Sequence, residues 1–138
     1  MPDLDRFVAA QDGTYAAALA ELRRGRKESH WMWWIFPQLA ALGRSGTAKR
    51  YGVADLGEAE AYLAHPVLGP RLVEAMRAML QHREQAPEAV LGGIDGLKLR
   101  SCATLFAAVP GAVPEFREVL DAFYGGEADP LTEAALAG

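Results

Sequence analysis

The sequence predicts an all-α fold, an irregular bundle of about six to eight short helices forming a single domain over residues 1–138. Three features predict it. Apolar residues recur at three- and four-residue spacing in one segment after another, the period that keeps them on one side of a helix. Proline, glycine and small capping side chains punctuate those segments where helices start and stop. Neither a sustained alternation of apolar and polar residues nor a repeat of solenoid length occurs, so at most a marginal two-stranded piece is expected.

Each helix has its own punctuation. Asp3 stands where it can cap a first helix carrying Leu4, Phe7 and Val8. Thr14 opens a second, with Tyr15, Ala18, Leu19 and Leu22 on its apolar side and Gly25 at its end. Ser29 is the expected N-cap of a Trp-rich turn that Pro37 terminates, because proline lacks an amide donor and clashes with the preceding turn. Residues 43–52 read as a loop with one helical turn. Asp55 and Glu58 make a capping box ahead of Ala59, Tyr62 and Leu63. The next helix begins near Pro66 or Pro70, carries Leu72, Val73, Met76, Met79 and Leu80, and ends near Gln85 and Pro87.

The second half follows the same style. Gly92 and Gly93 mark a turn, and Asp95 is the expected cap of a helix through Leu97, Leu99, Cys102, Leu105 and Phe106 that Pro110-Gly111 breaks. Pro114 begins another, with Phe116, Val119, Leu120 and Phe123 on one face as far as Gly125-Gly126. Asp129-Pro130 opens a short terminal helix to Leu136, with proline at the first helical position. The expected core is Phe7, Leu22, Trp31, Ile35, Leu63, Leu72, Met76, Leu105, Phe106, Val119 and Phe123. His65 reads as a helix-entry residue and His82 as a solvated surface one.

Composition narrows the function classes. A chain of 138 residues that is 51% apolar buries most of its apolar surface on folding. It has no apolar run of roughly eighteen residues, and its first five residues hold two acids rather than a basic and apolar leader. A cytoplasmic protein without a membrane segment is expected. Cys102 is the only cysteine and has no neighbouring Cys or His in sequence, so neither a disulfide, a metal nor a cofactor is expected.

Residues 25–38 are the most unusual stretch. They hold all three tryptophans, beside a basic run and His30. Between residues 23 and 50, Arg23, Arg24, Arg26, Lys27, Arg44, Lys49 and Arg50 face the single acid Glu28, a local balance of +6 in a chain of net charge -4.

Several blocks together carry a family resemblance. They are Asp5-Arg6-Phe7-Val8 with Ala10-Gln11 and Tyr15; Gly25-Arg26-Lys27 with Ser29-His30-Trp31-Met32-Trp33 and Ile35-Phe36-Pro37-Gln38; and Tyr51. Downstream stand Glu58-Ala59, Tyr62-Leu63, His65-Pro66-Val67-Leu68-Gly69 and Arg71-Leu72, then Lys98-Leu99, Ser101, Thr104-Leu105-Phe106, and Phe123-Tyr124-Gly125-Gly126 with Asp129. Along nearly its whole length the chain resembles the family known as domain of unknown function 1810. Trp34, Ala41 and the Cys102-Ala103 pair depart from the family pattern, which has Phe, Gly and Ser-Met there. The resemblance implies a mainly helical domain and no established activity. The label calpastatin given to some relatives conflicts with this composition, because an inhibitor that wraps its target as a disordered chain is poor in apolar residues.

The basic run has two readings. Arg23 and Arg24 lie in the last turn of a helix, where the dipole favours cations. Arg26 and Lys27 stand just before the next expected helix start, and Lys98 and Arg100 stand in the opening turns of the helix expected from Asp95, where it does not. An Asp95–Lys98 pair three residues apart absorbs one of these cations; an anion bound at the two helix starts explains them together. The Trp cluster divides likewise between core packing of Trp31 and Trp34 and stacking of Trp33 on a flat ligand.

The leading expectation is therefore a site for an anionic, partly aromatic small molecule such as a nucleotide or sugar phosphate. Its candidate catalytic group is His30, for proton transfer, and its candidate ligand-binding residues are Arg26, Lys27, Ser29, Trp33, Gln38, Lys98 and Ser101. A competing expectation is a protein-interaction module using the basic 23–50 segment. Nucleic acid is the weakest, since the net charge of -4 opposes it. Docking of the acidic 101–138 segment onto the basic one competes with all three. Ser101 and Cys102 lack the surroundings of a nucleophile.

Overall fold

The computed structural model describes residues 3–137. Among them run α1 (Asp5–Asp12), α2 (Tyr15–Arg24), α3 (Met32–Ile35), a 3-10 turn (Ala40–Leu42), α4 (Gly46–Arg50), α5 (Leu56–Ala64), α6 (Leu68–Leu80), α7 (Pro87–Leu91), α8 (Gly93–Ala107), α9 (Glu115–Tyr124) and α10 (Pro130–Ala137). The fold is all-α as expected, with more helices than expected because α3, α4 and α7 are short turns of four, five and five residues. Among the described residues one extended pairing occurs, joining Ala40 N to Val53 O at 2.8 Å and Val53 N to Gln38 O at 2.7 Å.

Helix α8 forms the centre. Residues 101–106 are buried in an unbroken run, so this part of the helix is covered all round. It packs against α5, α7, α9 and α10, while α6 packs against α2, α5 and α9. Phe106 lies between Tyr62, at 5.3 Å between ring centroids, and Phe116, at 5.6 Å. Every expected core residue is buried except Leu63 and Phe123, which are half-buried against the same core. Helices α5 and α6 approach so closely that a Cβ on Gly69 would stand 2.2 Å from the Leu63 carbonyl oxygen.

The caps follow the expected punctuation at some ends and depart from it at others. Asp55 Oδ1 accepts from Glu58 N at 2.8 Å, and Asp129 Oδ2 accepts from Thr132 N at 3.0 Å. His65 Nδ1 accepts the amides of Val67 and Leu68 at the start of α6. Asp3 acts one residue early: it takes the Asp5 amide, and Leu4 occupies the cap position of α1. The Thr14 hydroxyl does not cap α2 but donates to Ala10 O and accepts from Trp34 Nε1 at 2.8 Å. His82 is not a solvated residue: its Nε2 lies 2.8 Å from Leu22 O and 3.2 Å from Arg23 O, satisfying terminal carbonyls of α2. Its ring covers Gly25, whose φ of +78° ends α2 in the left-handed region.

Candidate functional site

Glu21 builds one wall of the site. It lies on the buried side of α2 beside Leu22 and is only 6% exposed. Its Oε1 accepts from the amides of Glu28 at 2.6 Å and Ser29 at 2.9 Å and from Trp31 Nε1 at 3.0 Å, and its Oε2 accepts from the Ser29 hydroxyl at 2.5 Å. Burial pushes the carboxyl up, but the donors from Ser29, Glu28 and Trp31 outweigh it and hold the group at about 2. A carboxylate placed this way is a fixed template for the backbone after Gly25.

That template overturns one sequence expectation. Ser29 is not an N-cap, because its hydroxyl and amide are both engaged by Glu21, and α3 starts only at Met32 with Trp31 before it. Arg26 and Lys27 accordingly lie in a loop rather than at a helix start. The Lys27 amide donates to Val90 O at 2.8 Å, which ties this loop to α7. Asp95 is likewise not a cap but a residue of the first turn of α8, which begins at Gly93 after Gly92, whose φ is +93°.

From this backbone two lysines converge on one acid. Lys27 Nζ lies 3.1 Å from Asp95 Oδ2, and Lys98 Nζ lies 3.3 Å from Oδ1, with side chains of Lys27, Asp95 and Lys98 only 10, 19 and 22% exposed. One carboxylate between two ammonium groups leaves this trio with a charge of +1. Lys98 Nζ also stands 4.9 Å from the Trp33 ring centroid, and Lys27 Nζ stands 5.1 Å from that of Trp31, both within cation–π range. Lys27, Trp33, Asp95 and Lys98 line, with His30 and Ile94, an open cleft of about 400 Å³.

Of the expected site residues, Lys27, His30, Trp33 and Lys98 come together in this cleft. Trp33 is half-buried and packs at 6.1 Å against Trp34, while Trp31 is 1% exposed and belongs to the core. The others lie elsewhere. Arg26 is exposed and has no carboxylate within 4.0 Å among the described residues, but it does not line the cleft. Ser101 is 8% exposed and donates to Asp129 Oδ2 at 3.2 Å. Gln38 contributes its carbonyl to the pairing with Val53. Arg100 braces the chain after α9 by donating to Glu127 O at 2.9 Å and Ala128 O at 3.0 Å. Cys102 is fully buried, and burial pushes its thiol well up, which makes it a poor nucleophile.

Met32, Leu91 and Ile94 complete the cleft and are absent from the sequence-derived set. Leu91 and Ile94 depend on the corner between α7 and α8, which no periodic pattern signals. Glu21 has a weaker signal in the sequence, an acid adjoining Leu22 on the apolar side of α2. Nor do the acids of residues 101–138 neutralise the basic segment: Glu115, Asp121 and Glu127 pair with Arg77, Arg117 and Arg100. Among the described residues no helix is long and apolar enough to cross a membrane.

Fold and site together define a small helical protein built around a buried central helix, with a basic and aromatic cleft at that helix's first turn. The chain belongs to the family described as protein of unknown function DUF1810, which matches residues 1–136. It is similar to the conserved hypothetical protein Rv1873 from Mycobacterium tuberculosis, at 48% identity over 99% of this chain and 97% of that one, with a TM-score of 0.96. No curated protein matches.

Proposed function

We propose that the cleft formed by Lys27, His30, Trp33, Asp95 and Lys98 binds a small anionic, partly aromatic molecule of the nucleotide or sugar-phosphate type. The observation that carries this reading is the sharing of Asp95 by two lysines, each largely covered. A lone ion pair would be complete; here one ammonium charge is left over beside the Trp33 ring. An oxyanion adds the missing negative charge, and the exposed part of Trp33 offers a flat surface to a base or sugar. Met32, Leu91 and Ile94 supply the apolar lining common to small-molecule clefts. Binding is favoured over catalysis, because among the described residues no side chain hydrogen-bonds the His30 ring to fix its tautomer.

A thermal-shift screen against nucleotides, sugar phosphates and carboxylates tests the proposal. A stabilising hit that disappears in Lys98→Ala and weakens in Trp33→Ala supports it. No hit from any of the three classes, or a hit that survives in both variants, rejects it.

A specific observation favours the interaction-module reading as second. Arg26, Arg44, Lys49 and Arg50 have no carboxylate within 4.0 Å among the described residues and are all exposed. Such cations suit an acidic partner at the rim of an interface. Binding of an acidic peptide that Arg44→Ala/Lys49→Ala abolishes would move this reading ahead.

A further inference from the structure

We infer that the groove between α2 and α6, which shares no lining residue with the lysine cleft, is a site for a diphosphate or longer polyphosphate group held by Arg23, Arg71 and Arg77. The groove has a volume of about 440 Å³. Arg71, Glu74 and Arg77 follow one another at three-residue spacing along α6 and all line the groove, and Arg23 enters from the last turn of α2.

Two of the three ion pairs around these arginines are loose. Arg23 meets Glu74 at 3.6 Å and Arg71 meets Asp12 at 3.6 Å, with side chains of Arg23, Glu74 and Asp12 that are 59, 47 and 65% exposed. Pairs of this length and exposure contribute little. A guanidinium carries a fork of N–H donors. Yet among the described residues only two side-chain hydrogen bonds engage these guanidiniums, and neither involves Arg23: Arg71 Nη1 to Gln11 Oε1 at 3.4 Å and Arg77 Nε to Glu115 Oε2 at 2.5 Å. Most of the donor capacity around the groove is therefore open to a ligand.

The floor is better ordered than the rim. The Tyr15 hydroxyl donates to Glu74, and the Arg71 guanidinium lies 4.9 Å from the centroid of the Tyr15 ring. These contacts hold Arg71 and Glu74 in place and leave Arg23 free to close on a ligand, while Arg77, tied through Nε to Glu115, offers its Nη donors.

Charge selects the ligand class. Glu74, Asp12 and Glu115 balance the three arginines, so long-range attraction is small and recognition depends on the forked donors, which match phosphate oxygens two at a time. Arg71 and Arg77 are separated by about 9 Å of helix axis. Two linked phosphates span that distance better than one and compete better with three carboxylates.

Isothermal titration with inorganic pyrophosphate, orthophosphate and citrate at fixed ionic strength tests the inference. Pyrophosphate should bind at least about tenfold more tightly than either of the others. Arg23→Ala should weaken it by about tenfold or more without lowering the unfolding midpoint, since this side chain is mostly exposed and its pair with Glu74 is long. Arg77→Lys, which keeps the charge and loses the fork, should weaken it as well. Lys27→Ala/Lys98→Ala should leave it intact, so this result and that of the lysine cleft are read separately. No binding at millimolar pyrophosphate, equal affinity for citrate, or a loss confined to the lysine variant overturns the assignment.

Discussion

Trp31 Nε1 donates to the carboxylate of Glu21 at 3.0 Å, with the ring 1% and the acid 6% exposed. This bond crosses the turn at Gly25 and fixes the loop of residues 26–31 to α2 from the inside. The same carboxylate takes two backbone amides and the Ser29 hydroxyl, all part-buried, so with the buried Trp31 Nε1 a single side chain satisfies four donors.

Replacing Glu21 with Ala should therefore destabilise the protein by about 3 kcal/mol or more, because each stranded donor costs on the order of 1–3 kcal/mol. Urea unfolding followed by tryptophan fluorescence measures it. A loss below about 0.5 kcal/mol, the range of an ordinary surface change, would show that water replaces the carboxylate.

Acid should act through the same group. Its folded value, about 2, is below the usual 4.5, so the folded protein binds fewer protons than the unfolded chain in that interval. The stabilisation, about 3 kcal/mol by linkage, is fully present above pH 5 and is lost as pH falls towards 2. Stability profiles of the parent and Glu21→Gln should converge in slope above pH 5 and diverge below it. Parallel profiles throughout would mean that other carboxylates govern acid unfolding.

Gly25 and His82 form a second coupled pair. Ala at residue 25 meets both the left-handed φ of +78° and the His82 ring, 3.0 Å from the added Cβ. Gly25→Ala should cost more than the roughly 1–2 kcal/mol of the conformation alone. In a His82→Ala background the steric part disappears, so a double-mutant cycle should show coupling of at least about 0.5 kcal/mol. Additive effects would place the ring elsewhere in solution.

Phe106 tests the core. Its ring is unexposed and meets Tyr62 and Phe116, so Phe106→Ala should cost about 3–5 kcal/mol. Near-parental stability in urea would require the central helix to be placed differently.

Helix periodicity made the long elements legible in the sequence, and α2, α8 and α9 lie close to where spacing put them, whereas α6 ends at Leu80 rather than near Gln85. The short turns were less legible because tertiary contacts decide them: α3 begins after Ser29, not at it, and the Ser29 hydroxyl that was expected to cap it is taken up by Glu21. His82 read as solvated because nothing local reveals the carbonyls of α2 that it meets. The lysines of the cleft were recognisable as misplaced cations. Their common partner was only half visible: Lys98 and Asp95 are neighbours on one helix, whereas Lys27 reaches Asp95 through a fold-dependent approach of α7 to the loop.

Asp95 separates the needs of the fold from those of the proposed cleft. Lys98→Ala leaves the Lys27–Asp95 pair intact, so stability should change by less than about 1 kcal/mol while the response to an anion disappears. Asp95→Asn does the reverse. It removes the only carboxylate from between two lysines, so stability should fall by about 1 kcal/mol or more through repulsion of covered like charges. The charge of the trio rises from +1 to +2, and an anion that binds there should gain affinity at low ionic strength, with most of the gain lost as salt screens the partly exposed groups. Titrating Asp95→Asn with whichever anion stabilises the parent, at low and at high salt, measures both effects. Weaker binding in Asp95→Asn at low salt would show that Asp95 serves the ligand directly or that the lysines need it for their placement, and the leftover ammonium charge would then not be what recognises the anion.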